Sequence, residues 1–271
     1  MLKDITLGQY FPGNSVLHRI DPRMKIILMI LFVVSVFFAK NYLSFAMLII
    51  GVAVLCALSG VGAGVILKSL KPLIFIMVFT GILNLFWTKG DHLLIHAGFI
   101  KIYREGIETA IFMIIRIVSL VAGTSVLLSY TTSPMALTDA IERLLSPLKK
   151  IHVPVHEFAM MMTLALRFIP TLIEETDKII SAQKARGADF ESGNILRRAK
   201  AFIPILIPLF FSAFRRADDL SIAMECRLYH GGEGRTRMNV LHLRPLDAAA
   251  LAVCIVFISA LIVLSTIDIP I

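Results

Sequence analysis

The chain has 271 residues, 57% of them hydrophobic and 17% charged, with a mean hydropathy of +0.82. A soluble domain carries about 25% charged residues, so the composition excludes an ordinary globular enzyme and points to a membrane protein. The net charge of +8 sits beside apolar runs with no aromatic-plus-basic recognition motif, so it reports topology rather than nucleic-acid binding.

A helix needs about 20 residues, and at least about 17, to cross the hydrocarbon core. Residues 1–21 lack the apolar core of a signal peptide, so the first apolar run is expected to be a stable anchor. That run covers 26–39. The second, 43–58, follows after only Lys40-Asn41-Tyr42, which predicts an antiparallel hairpin. The third, 73–87, ends at Trp87, a residue suited to the interface. The fourth, 106–130, is interrupted by Arg116, and the fifth, 248–267, by no charge.

Two further stretches are rejected as spans. Residues 155–173 contain Glu157, Arg167 and Pro170; residues 201–214 are short and hold Pro204 and Pro208. If both crossed, Lys178, Lys184, Arg186, Arg197, Arg198 and Lys200 would face outward, against the positive-inside bias. Five spans give a consistent orientation. Lys3, Arg19, Arg23 and Lys25 lie inside, as do Lys68 and Lys71 in the connector after the second span. Residues 131–244, which hold more than half of the 27 Lys and Arg, lie inside as well. Lys40, Lys89, Lys101 and Arg104 lie outside, with the C-terminal Asp268-Ile269-Pro270-Ile271. The expected fold is all-α and polytopic: spans one to four in 1–130, a cytoplasmic layer of amphipathic helices in 131–244, and a final span in 245–271.

Within that layer, Thr132-Ser133-Pro134 caps a short amphipathic helix over 134–148. A second helix starts near Pro154 and ends at Lys184 and Arg186, before Gly187. A third runs from about Asn194 to Arg227, and Gly231, Gly232 and Gly234 break the pattern beyond it. The two longer helices end alike. Asp177 precedes Ala182 by five residues and Arg186 by nine; Asp218 precedes Ala223 and Arg227 by the same intervals. An arginine suits any helix C-terminus, to the extent of about 0.3–1 kcal/mol, but two alike tips suggest two alike receptors.

The remaining chemistry is sparse. Cys56, Cys226 and Cys254 are too far apart for a metal or disulfide framework. His92 and His96, and His152 and His156, have i, i+4 spacing, yet neither pair has a third ligand, so no metal or other cofactor is expected. Gly60-Val61-Gly62-Ala63-Gly64 lacks the Gly-Lys-Ser/Thr of a phosphate loop. No catalytic constellation is present, so the chain is expected not to be an enzyme. Arg116 in mid-span costs roughly 2.5–3.5 kcal/mol on insertion scales and should face protein or water, with Asn84 a candidate partner.

The ordered set of Leu17-His18-Arg19-Ile20-Asp21-Pro22-Arg23-Met24-Lys25, Leu166-Arg167-Phe168-Ile169-Pro170, Ala185-Arg186-Gly187 and Ala223-Met224-Glu225-Cys226-Arg227-Leu228 resembles one family over essentially the whole chain. It is that of the transmembrane T component of energy-coupling-factor transporters, EcfT, with CbiQ as its cobalt-specific relative. The resemblance implies a non-catalytic scaffold. Two ABC-type ATPase subunits would dock at Ala185, Arg186 and Gly187 and at Cys226, Arg227 and Leu228. A small membrane-embedded subunit would capture a vitamin or metal ion for import across the cell membrane. The second tip departs from the family's Ala-Arg-Gly by losing its glycine, a role that Gly231 could take. The rival reading, a self-contained secondary transporter, needs ionisable groups or broken helices at midplane, where the spans offer little beyond Arg116.

Overall fold

The computed structural model describes residues 10–88, 93–97, 100–188, 190, 195–232 and 241–267. Lys3, Lys89, His92, Asn194, Gly234 and residues 268–271, used above, lie outside them. The chain divides into two compact units. One is built on Leu7–Ala140 with Val240–Ile271, the other on Ile141–Asn239.

The first unit starts with α1 (Pro22–Phe38), where the Asp21 carboxylate accepts from the Arg23 amide at 2.9 Å and proline fills the first turn. Helix α2 (Tyr42–Ser59) ends at Gly60, whose φ of +69° closes the helix in the left-handed region. Only Gly60, Val61 and Gly62 separate it from α3 (Ala63–Leu70), which runs through the turn Lys71–Leu73 into α4 (Ile74–Trp87). Lys68 and Lys71, expected in a connector, are therefore helical. The short glycine-flanked turn lets the next helix start ten residues before its apolar core. Strands β1 (Leu93–Ala97) and β2 (Ile100–Tyr103) form a small antiparallel hairpin. Helix α5 (Arg104–Thr124) continues into a π-helical turn, Ser125–Tyr130. Helix α9 (Pro245–Thr266) closes the unit.

Among the described residues, four helical stretches are long and apolar enough to cross a bilayer: Tyr42–Ser59, Ala63–Trp87, Arg104–Tyr130 and Pro245–Thr266. Helix α1, at 17 residues, stands at the lower limit for a span. The fold is an all-α polytopic membrane bundle, with one hairpin among its described residues. Helix α5 packs on α1, α2, α3 and α4, while α9 packs on α1 and α2. Phe32, Val36, Phe45, Leu48, Val126 and Leu261 form the buried core. Gly123 is required there, since a Cβ would overlap the Phe32 ring. Large apolar side chains such as Phe75, Phe79 and Trp87 face outward, as lipid contact demands.

The second unit begins inside α6 (Pro134–Leu144), which straddles the division. Pro147 keeps the rest of the expected 134–148 helix from continuing as α, and Ser146–Ile151 is a 3₁₀ turn instead. Helices α7 (Val155–Ala185) and α8 (Ile195–Glu225) each have 31 residues and run without a break through their prolines. They lie antiparallel. Arg216 Nη2 donates to Glu175 Oε2 at 2.6 Å, Gln183 reaches the Pro204 carbonyl at 3.5 Å, and Gly231 lies 4.0 Å from Glu157 Oε1 as measured from its Cβ position. Residue numbers rise on one helix as they fall on the other.

Candidate functional site: the paired arginine tips

The end of α7 is held by two backbone bonds. Gly187 N–H donates to the Lys184 carbonyl and Ala188 N–H to that of Gln183, both at 3.0 Å. This is a Schellman ending, and it requires the φ of +85° that Gly187 adopts. Arg186 is the last residue before the left-handed turn, with its side chain exposed.

The end of α8 repeats this pattern bond for bond. Leu228 N–H donates to the Glu225 carbonyl at 2.9 Å and Tyr229 N–H to that of Met224 at 3.1 Å. Leu228 itself takes the left-handed conformation, with φ of +53°, so Arg227 stands at its tip where Arg186 stands at the other. The expectation that Gly231 would replace the missing glycine is corrected. Gly231 does have a φ of +91°, but the helix is already closed three residues earlier. A side chain in that conformation costs roughly 1–2 kcal/mol, and Leu228 is 77% exposed, so burial of its side chain offsets little of it.

Both guanidinium groups are exposed, and neither is paired among the described residues. Because α7 and α8 are antiparallel, the tips lie at opposite ends of the pair. Arg186 is near the level of residue 203, and at 1.5 Å per residue the run from there to Arg227 spans roughly 35 Å. Between the tips α8 presents a broad apolar face, with Phe210 at 63% and Phe211 at 70% exposure. A shallow cavity of about 520 Å³ lies against Leu172, Leu206 and Phe210.

The intramembrane candidates fall elsewhere. Arg116 Nη2 donates to the Ala39 carbonyl at the end of α1, at 2.8 Å, and its guanidinium lies 5.5 Å from the centre of the Phe45 ring. It satisfies the carbonyl end of one helix while resting on an aromatic face. Asn84 instead donates to the Thr80 carbonyl of its own helix at 2.9 Å, and no bond between Asn84 and Arg116 is described. Of the histidines, His156 Nδ1 donates to Glu142 Oε1 at 2.9 Å, and its ring lies against Gly232. His152 precedes α7 rather than sharing a turn with His156, so their i, i+4 spacing does not lie on one helix.

Sequence reasoning used Lys25 as a topology charge and as the end of the motif at residues 17–25, and gave it no partner. It is almost wholly buried, and its Nζ donates to the Thr131 carbonyl at 2.7 Å and to the Thr132 and Thr131 hydroxyls at 3.2 and 3.3 Å. Asp247, also buried, accepts from the Asp21 amide at 2.8 Å and the Arg244 amide at 2.7 Å. Arg23 Nη2 completes the tie by donating to the Leu241 carbonyl at 2.8 Å. The motif at residues 17–25 thus fastens three helix ends. No local pattern announces this, since the partners lie over 100 residues away.

A family model described as "Cobalt transport protein" matches residues 13–238, a range that includes the motif at residues 17–25 and both tips. The chain is 54% identical over 264 residues to the energy-coupling factor transporter transmembrane protein EcfT of Ruminiclostridium cellulolyticum, covering 97% of this chain and 98% of the relative. Its identity to the protein of the same name from Bacillus subtilis is 45% over 261 residues, covering 96% and 98%. This chain belongs to the EcfT family. As an EcfT-family protein it is the transmembrane component of an energy-coupling factor transporter, and the apolar helices of its first unit hold it in a membrane. The family match includes Leu228 as well as Gly187, so the substituted tip lies within the shared region and not beyond it.

Proposed function

We propose that this protein couples ATP hydrolysis by two partner ABC-type ATPases to uptake of a vitamin or metal ion by a small membrane-embedded subunit. The observation that carries this reading is the duplicated helix ending, with Arg186 and Arg227 in the same backbone position at opposite ends of one antiparallel pair. Each planar guanidinium enters a groove on one ATPase, where it can bond a carboxylate or several carbonyls as a lysine cannot. Residues 131–244 and the N-terminus lie on the cytoplasmic side, where ATP is available. The apolar face between the tips, around Phe210 and Phe211, receives the substrate-binding subunit, because a patch of that kind marks an interaction surface. When the ATPases close on ATP, the tips move relative to one another and the helix pair carries the motion to that subunit.

Arg116 also supports a coupler rather than a self-contained transporter, since its guanidinium is engaged by Ala39 and Phe45 and holds a helix end. The test is the double variant Arg186→Ala with Arg227→Ala. It should no longer co-purify with the two ATPase chains and should lose ATP-dependent uptake. Intact assembly and uptake in that variant would overturn the reading.

A further inference from the structure

In the membrane unit a cavity of about 370 Å³ opens between α2 and α9, with α1 as its floor. That size suits a small-molecule ligand, yet its lining is apolar throughout, with Val54 and Leu58 on α2, Ala249 and Val253 on α9, and Phe32 on α1. One end is closed where the Phe257 ring lies on Gly51; a Cβ at position 51 would come within 2.7 Å of the ring. The other end is lined by Leu17, Ile20 and Leu246. There the chain carries two exposed cations, Arg19 beside Ile20 and Arg244 before Leu246. The two segments are held together by the bond from the Asp21 amide to Asp247.

The length of the groove selects its occupant. From Leu246 to Phe257 the groove follows α9 for roughly 16 Å, about half of the ~30 Å hydrocarbon core. A partner helix crossing the bilayer would need a groove of the full thickness, whereas a lipid tail needs one leaflet. The charges at the mouth select the headgroup. Asp21 is committed to Arg23, and Asp247 to two backbone amides, which leaves Arg19 and Arg244 to face an anion.

We propose that this groove binds one acyl chain of an anionic phospholipid, with Arg19 and Arg244 at the depth of its headgroup. The site rests on the chain's residence in a membrane and not on the docking of ATPases, so either proposal can fail without the other. On the orientation proposed above the lipid belongs to the cytoplasmic leaflet. Gly51 acts as the stop that lets Phe257 set the depth of the tail.

The test places the full chain in lipid nanodiscs with phosphatidylglycerol carrying a photoactivatable group in one tail, and with a phosphatidylcholine probe as the neutral comparison. Peptide mass spectrometry locates the cross-links. Phosphatidylglycerol should label residues 246–257 and 51–58 several-fold more than the exposed face of α4 around Phe75 and Phe79. Ala249→Phe, which fills the groove, should abolish that labelling and leave α4 labelling unchanged. Arg19→Gln and Arg244→Gln should each lower the preference for phosphatidylglycerol about fivefold. Groove labelling no stronger than that of α4, or equal labelling by the two probes, would overturn the proposal, as an annular lipid only. Loss of groove labelling when the native partner subunits are bound would overturn it too, by giving the groove to a protein.

Discussion

Leu228 carries a strain that Gly187 avoids, and the two positions invite reciprocal substitution. Leu228→Gly relieves roughly 1–2 kcal/mol of left-handed strain but adds about 0.4–1 kcal/mol of unfolded-chain entropy to be lost on folding. The net gain should be about 0.5–1 kcal/mol, read as a small rise in thermal unfolding midpoint, with association to the ATPases preserved because Arg227 stays in place. Gly187→Leu should lower the midpoint by a comparable step. Lys25 is a different case. Its ammonium is buried, and its three oxygen partners come from Thr131 and Thr132. Lys25→Met keeps the volume of the stem but leaves those oxygens without their donor, at a cost of about 1–3 kcal/mol. Detergent-solubilised Lys25→Met should unfold at lower temperature than the parent, and an unchanged midpoint would show that the ammonium contributes nothing net.

The antiparallel pairing of α7 and α8 makes the ion pair between Glu175 and Arg216 a probe of register. Both side chains are partly exposed, at 23% and 31%, so screening limits the pair to about 0.5–1 kcal/mol despite its 2.6 Å separation. Glu175→Arg should loosen the second unit by that amount and Arg216→Glu likewise, while the double exchange should recover most of the loss. A thermodynamic cycle of the four proteins measures this, and purely additive losses would show that the helices do not hold this register. Between α1 and α5 the corresponding tie is Arg116 to the Ala39 carbonyl. Arg116→Leu removes a charge-assisted bond and should destabilise the bundle by about 1.5–3 kcal/mol without a selective loss of ATPase binding. Loss of ATPase association with stability unchanged would mean that Arg116 acts on the partners instead.

For the molecule as a transporter component, the proposed division of labour separates two kinds of partner by two kinds of surface. Arg186→Ala with Arg227→Ala removes the tips and should cost the ATPases. Phe210→Asp with Phe211→Asp charges the apolar face between them and should cost the small membrane subunit, while both ATPase chains still co-purify. Composition of the purified complex by mass spectrometry reads both results. Loss of every partner in the phenylalanine variant, with helicity retained, would show that the surfaces are not separable.

The five apolar runs and the ends of α7 and α8 were legible in the sequence, because hydropathy and helix-end chemistry act over a few residues, whereas the start of α1 at Asp21-Pro22, four residues before its apolar run, was seen only in the structure. The family resemblance was legible for the same reason, through short ordered motifs. What the sequence misjudged was local in extent but not in cause. Lys68 and Lys71 became helical because a three-residue turn sufficed, and the second tip closed at Leu228 because the geometry of the ending, rather than the presence of glycine, set the break. Tertiary structure alone decided that Arg116 meets Ala39, that Lys25 meets Thr131 and Thr132, and that Asp247 meets Asp21. Each of those pairs joins residues far apart in the chain, and no periodicity within one helix carries information about which distant carbonyl or carboxylate packing will bring to it.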